Sequence, residues 1–212
     1  MGTNYDTLYK SERHVLGAPT KDFVDFFASL ENRALTVLDI GAGQGRDALF
    51  IARQGHAVTA VDLSPSGMKQ LQEDADSEGL KIKTHVADIC DFVPPHSFDI
   101  ILIDRTLHML DAPNRTSVLT SLLPYTNSNG FLLIADERSN IPAFEAVLET
   151  SDHDWTVLMQ KKGFLFAHEF GLIPVSRGDE DSRNGRVLLI LSTLSQQIYE
   201  ACSWRKQREL AL

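Results

Sequence analysis

The stretch Val37-Leu38-Asp39-Ile40-Gly41-Ala42-Gly43-Gln44-Gly45-Arg46-Asp47 places an acid near the end of an apolar run, then three glycines at alternate positions, then a helix-forming segment. Glycine adopts left-handed backbone conformations without steric penalty and lets a ligand approach the main chain, and a helix start presents free N–H groups. Such a turn is suited to receive a ligand. A dinucleotide turn has the spacing Gly-x-Gly-x-x-Gly with a pyrophosphate on the helix N-terminus. Here the third glycine comes one residue early and Asp39 stands beside the turn. A carboxylate there repels a pyrophosphate and attracts an ammonium group, so the pattern favours a zwitterionic ligand.

Further acids fall at the ends of the next apolar runs. Val58-Thr59-Ala60-Val61-Asp62 closes with a carboxylate 17 residues after Gly45, a position from which an acid accepts both hydroxyls of a ribose. Ala87-Asp88-Ile89 offers an acceptor for an exocyclic amine and an apolar side chain for a purine face, with Asp91 as the alternative acid. Arg46 either faces a ligand carboxylate or is an exposed first-turn residue. After the fourth run come Asp104-Arg105-Thr106-Leu107-His108-Met109-Leu110. His108 has the near-neutral chemistry of a general base, or else packs between Leu107 and Met109 as a helix cap. Asp104 is a second candidate for proton transfer, and Arg105 suits an anionic acceptor. Tyr5 and Tyr9 either form a lid that excludes water or belong to a frayed terminus. The seven histidines and the acids show no metal-ligand spacing, so no metal is expected.

These residues need a scaffold that brings strand ends together. Short β-branched runs at residues 36–40, 57–62, 82–88, 98–104, 130–136, 164–170 and 186–192 alternate with amphipathic stretches, the pattern of parallel strands joined by crossover helices. Ser64-Pro65 and Gly79 bracket one helix, Gly55 stops another, and Asp111-Ala112-Pro113 opens a third that Pro124 closes. Residues 140–162 read as a broken helix, with Pro142 near the start and Ser151-Asp152-His153-Asp154 in the middle. Phe23, Phe26, Phe27 and Leu30 recur at helical spacing ahead of the first strand, whereas Tyr5 and Tyr9 show no such periodicity.

Taken in register, the glycine stretch and Val58-Thr59-Ala60-Val61-Asp62-Leu63-Ser64-Pro65 resemble the class I S-adenosylmethionine-dependent methyltransferases over roughly residues 34–138. Gly43-Gln44-Gly45-Arg46 followed by Asp47-Ala48-Leu49-Phe50-Ile51-Ala52 looks like the tellurite-resistance and thiopurine-type branch, single-domain enzymes acting on small molecules. The resemblance implies a single-domain, Rossmann-like α/β fold. Its seven-stranded, mostly parallel sheet has the order 3-2-1-4-5-7-6, the last strand antiparallel, and helices on both faces. It also implies that Asp39 and the turn at Gly41, Ala42, Gly43 and Gly45 hold the methionine part of S-adenosylmethionine, Asp62 the ribose and Asp88 the adenine; Arg46, Leu63 and Ile89 complete the expected cofactor-binding set. Asp104 would border cofactor and acceptor, with Tyr5, Tyr9, Arg105 and His108 on the acceptor side. Asn-Pro-Pro-Tyr, which amino-methylating nucleic-acid enzymes carry at the fourth strand end, is absent.

Composition sets bounds on these readings. A chain of 212 residues with 43% apolar and 23% charged side chains suffices for one sizeable core. We divide it into an N-terminal helical or lid segment (1–33), a methyltransferase domain (34–195) and a C-terminal helix (196–212). A net charge of −9, with nine acids against three lysines over residues 62–104, disfavours nucleic acid and suits a cationic cofactor. Two widely spaced cysteines and the absence of long apolar runs point to a cytoplasmic, non-membrane protein, monomeric or homodimeric. The expected activity is methyl transfer to a small molecule. A non-catalytic S-adenosylmethionine sensor is the alternative, and a nicotinamide-dependent oxidoreductase is disfavoured by the glycine spacing.

Overall fold

The computed structural model describes residues 5–30, 33–152, 154–162 and 184–191. Among these, seven strands form one sheet: β1 (Thr36–Ile40), β2 (Ala57–Asp62), β3 (Ile82–Val86), β4 (Phe98–Asp104), β5 (Thr126–Asp136), β6 (Asp154–Lys162) and β7 (Asn184–Leu191). Their order is β3-β2-β1-β4-β5-β7-β6. Six helices accompany them: α1 (Tyr5–Ser11), α2 (Lys21–Ser29), α3 (Arg46–Arg53), α4 (Pro65–Glu78), α5 (Ala112–Leu122) and α6 (Ile141–Glu149).

Strand alternation produces the layers. In β1, Val37 packs with Phe23, Phe27, Leu49, Ile51, Met68 and Leu71 on one face, while Leu38 and Ile40 pack with Val118, Leu119, Leu122 and Phe144 on the other. Both faces of the sheet are thus covered, which is why its strands are nearly continuous apolar runs. Local chemistry sets the helix ends. Ser64 accepts from the Gly67 N–H, Asp111 accepts from the Asn114 N–H, and Gly79 closes α4 at φ 65°.

Two expectations need correction. The last strand is parallel, because β7 runs parallel to both β5 and β6. The 21 residues between Lys162 and Asn184 are ample for the crossover that a parallel pair requires. Residues 140–162 are not a broken helix, since α6 ends at Glu149 and β6 begins at Asp154. The polar cluster at 151–154 marks this junction, and the Trp155-Thr156-Val157 run behind it has strand propensity. The expected strand at 164–170 and the expected helix at 196–212 lie outside the described residues. No helix among the described residues is long and apolar enough to cross a membrane.

Candidate functional site

Because β1 lies between β2 and β4, the chain leaves β1 toward one side of the sheet and later returns on the other. Open α/β sheets bind ligands at the carboxyl edge where the order switches in this way. Gly41, Gly43 and Gly45 all adopt left-handed conformations there, at φ 76°, 57° and 83°. The Val61 carbonyl accepts from both the Gly41 and Ala42 N–H groups (2.8 and 3.0 Å). Asp62 completes the turn, since its Oδ2 accepts from the Gly43 N–H (2.9 Å) and its Oδ1 from the Ser64 N–H (2.8 Å). Burial raises the Asp62 pKa despite these two bonds.

Beneath the turn lies a group of acids. Asp39 is buried and its Oδ2 has no hydrogen-bond partner; the same is true of Asp47 Oδ1. Burial first, and the nearby Asp47 second, push the Asp39 pKa well above the ordinary carboxylate range. The Arg46 guanidinium bridges Asp47 (2.5 Å) and Asp104, and the Thr20 hydroxyl donates to Asp104 Oδ2 (2.7 Å). Asp104 is nonetheless pushed up to about 7 by burial. Arg46 is therefore buried between acids and is not an exposed first-turn residue. Arg105, at a left-handed φ of 54°, turns its guanidinium back onto Asp104 (Nε to Oδ1 3.2 Å).

Residues 5–20 are strapped over this edge by polar groups. Asp6 Oδ1 accepts from the Ser64 hydroxyl (2.7 Å) and the Ser66 N–H (3.0 Å) at the start of α4. Gln44 donates to the Glu12 carbonyl and to Gln70 Oε1 (both 2.6 Å), and its Oε1 accepts from the Val15 N–H (3.0 Å). Gln70 in turn donates to the Tyr9 carbonyl (2.6 Å). Tyr9 is buried against the turn: a Cβ on Gly43 would lie 2.7 Å from its hydroxyl. Its ring centroid is 5.8 Å from that of Tyr5, which is half-buried. Residues 5–11, which lack apolar periodicity, are helical because this docking holds them. Replacing Gln44 with alanine is expected to speed amide exchange over residues 5–16 by roughly 10–100-fold, with the central strands unaffected, because buried polar partners are left unsatisfied. Equal protection in mutant and wild type would show that the strap is held elsewhere.

The other predicted residues separate into two groups. Ile89 is half-buried on the core beside Ala87 and Phe92, with Leu63, Val86 and Val93 exposed along the same edge. Asp88 is exposed, and its Oδ1 is engaged by the Cys90 N–H (2.9 Å) in its own loop. After β4, Leu107–Met109 form a single 3-10 turn. The Thr106 hydroxyl donates to the Ile40 carbonyl (3.1 Å), tying that turn to the glycine loop. The His108 N–H donates to Asp136 Oδ2 (3.0 Å), and its Nδ1 lies 4.0 Å from the same oxygen.

Sequence reading missed Asp6, Thr20, Gln44, Gln70, Thr106 and Asp136. Asp136, at the end of β5 in line with the other strand-end acids, was the one such residue with a readable signal. Among the described residues, no group of three or more His, Cys, Asp or Glu is arranged to hold a metal.

Residues 37–130 match the family described as a methyltransferase domain. The chain is similar to the probable S-adenosyl-L-methionine-dependent methyltransferase TehB of Haemophilus influenzae, with 29% identity over 131 residues, 62% of this chain and 45% of that one. The crystal structure of TehB from Haemophilus influenzae superposes with a TM-score of 0.52 and 29% identity, covering 56% of this chain and 41% of that one. A ubiquinone biosynthesis O-methyltransferase of Actinobacillus pleuropneumoniae is 27% identical over 141 residues, 63% of this chain and 57% of that protein. The chain thus spans less than half of TehB and under two thirds of the O-methyltransferase.

Proposed function

We propose that this chain, which carries a class I S-adenosylmethionine-dependent methyltransferase domain over residues 37–130, is an enzyme that methylates a small molecule. S-adenosylmethionine is the cofactor of this domain and supplies, when bound, a sulfonium-activated methyl group. The observation that carries the reading is the buried acid group, in which Asp39 Oδ2 and Asp47 Oδ1 lack partners beside a turn of three left-handed glycines. A cationic, amino-acid-bearing ligand supplies the missing positive charge and donors, whereas a pyrophosphate would add to the repulsion.

The residues fit that ligand as follows. Asp39 and the turn at Gly41, Ala42, Gly43 and Gly45 receive the amino-acid end, and Arg46 acts behind it by holding Asp47 and Asp104 in place. A carboxylate has about four lone-pair sites, so Asp62 keeps two after accepting from Gly43 and Ser64, enough for the two ribose hydroxyls. Leu63 and Ile89 offer apolar surface to the purine, and Asp88 keeps acceptor capacity for its amine. Tyr5 and Tyr9 cover the site. Arg105 and His108 border the acceptor. Methyl transfer needs alignment and water exclusion more than covalent help, and the strap over residues 5–20 suits both. The similarity to a ubiquinone biosynthesis O-methyltransferase supports a small acceptor.

Calorimetry tests the cofactor. Binding of S-adenosylmethionine without a response to NAD is expected, and the reverse would overturn the reading. Asp62→Ala is expected to weaken S-adenosylmethionine binding by roughly 10–150-fold through loss of hydrogen bonds to a charged acceptor. An unchanged dissociation constant would displace the ribose from Asp62.

A further inference from the structure

The acid at the end of β5 is not among the residues assigned to the cofactor, yet its surroundings are specific. Asp136 is fully buried. Its Oδ1 accepts from the Glu137 N–H (2.7 Å) and the Asn140 side-chain amide (2.6 Å), while its Oδ2 accepts from the His108 N–H (3.0 Å). The His108 ring returns to that same Oδ2, with Nδ1 buried, 4.0 Å away and without any hydrogen-bond partner. Arg115 of α5 fixes the turn from the other side, donating to the Leu107 carbonyl (3.1 Å), the Leu110 carbonyl (2.8 Å) and Asn140 Oδ1 (2.5 Å). The ring is thus held beside a carboxylate by a backbone that cannot easily withdraw.

We propose that Asp136 is a positioning residue that holds His108 in its Nδ1–H form, leaving Nε2 free to take a proton from the methyl acceptor. This deepens the methyltransferase reading and rests on it. The ring nitrogen that carries the proton is set by the partner of the other, and a histidine backed by a carboxylate is the ordinary arrangement of a general base. Catalytic hydrogen bonds are often long before ligands bind, so 4.0 Å is within the range that a small ring rotation closes. The step balances as follows. The acceptor's X–H bond breaks and its proton goes to His108 Nε2. The freed pair forms the new X–CH3 bond, and the methyl–sulfur bond breaks with its pair kept by sulfur, leaving neutral S-adenosylhomocysteine. The imidazolium formed faces the Asp136 carboxylate. Such a pair suits an acceptor that arrives protonated, an O–H or N–H group, over a thiolate or metalloid anion that has no proton to lose.

The test needs no acceptor. Long-range proton–nitrogen correlation spectra of the 15N-labelled full-length protein, at alkaline pH and with S-adenosylhomocysteine added, report the tautomer of each of the seven histidines, and His108→Gln assigns the signal. The expected result is the Nδ1–H form in the wild type, with the tautomer ratio shifted toward Nε2–H by at least about tenfold in Asp136→Asn, the size of one ordinary hydrogen bond. An Nε2–H ring in the wild type, or an unchanged ratio in Asp136→Asn, would show that Asp136 only caps the turn. Should Asp136→Asn fail to fold, the wild-type tautomer decides alone. Calorimetry with S-adenosylhomocysteine on the same sample separates the two readings: no binding with the expected tautomer overturns the cofactor and spares the pair, and binding with the wrong tautomer does the reverse.

Discussion

Asparagine in place of Asp39 is expected to weaken S-adenosylmethionine binding by roughly 10–150-fold and, at the same time, to make the cofactor-free protein more stable. The two effects share one cause. Asp39 is buried with Oδ2 unpartnered and Asp47 nearby, so its charge costs free energy until a cation arrives. Because burial raises its pKa, the folded chain retains a proton that the unfolded chain has lost. Stability from this group is therefore fully present below the unfolded carboxylate range, near pH 4, and is lost as pH rises toward the folded value. Asp104, pushed up to about 7, contributes with the same sign. The advantage of Asp39→Asn should accordingly be absent near pH 4 and grow as pH rises above the ordinary carboxylate range. Thermal melts across that rise, without cofactor, measure it. A variant less stable than wild type at every pH would mean that the Asp39 carboxylate holds the turn itself. The linkage has a counterpart in the ligand. A cationic ligand favours the ionised carboxylate, so S-adenosylmethionine should bind more tightly as pH rises through the same window and release a fraction of a proton, visible as a buffer-dependent binding enthalpy.

What the sequence disclosed about the site follows from the range over which each interaction acts. The β1 end, the glycine turn and the α4 cap were readable because their determinants are neighbours in the chain: three glycines at alternate positions, Ser64 before Pro65, Gly79 after the last turn. Those residues carry the left-handed φ values and the cap hydrogen bond that their types demand. Alternation of strands and helices pointed to a parallel sheet, whereas the strand order was expected only from the family resemblance. The strap stayed open between a lid and a frayed terminus, because nothing in Tyr5-Asp6-Thr7-Leu8-Tyr9 marks a helix docked on α4. The contacts that hold it join Asp6 to Ser64 and Gln44 to Glu12, spans of 58 and 32 residues. Arg46 was open between two readings for the same reason, since Asp104 reaches it from 58 residues away. The β6 segment was misread because a polar cluster interrupts an apolar stretch at the point where one element ends and the next starts, and periodicity cannot separate a broken helix from a helix followed by a strand over so few residues.

Alanine at Gly41 is expected to lower stability by about 3 kcal/mol and the melting temperature by roughly 6–12 °C. Two separable penalties add. The φ of 76° places an L-residue in the left-handed region, which costs about 1–2 kcal/mol. The new Cβ would also lie 2.1 Å from Thr106 Oγ1 and 2.4 Å from its Cγ2, so Thr106 must move. Thr106 donates to the Ile40 carbonyl, and the 3-10 turn carrying His108 follows it directly, so the displacement spreads to that turn. Combining Gly41→Ala with Thr106→Gly removes the clash and leaves the backbone strain. In a double-mutant cycle the two changes should therefore be non-additive, with a coupling of about 1–2 kcal/mol in the stabilising direction. Additivity would mean that the loop absorbs the methyl without moving Thr106. S-adenosylmethionine binding provides the second axis, since it should fail in Gly41→Ala and recover only partly in the double variant, the left-handed strain still acting on the turn.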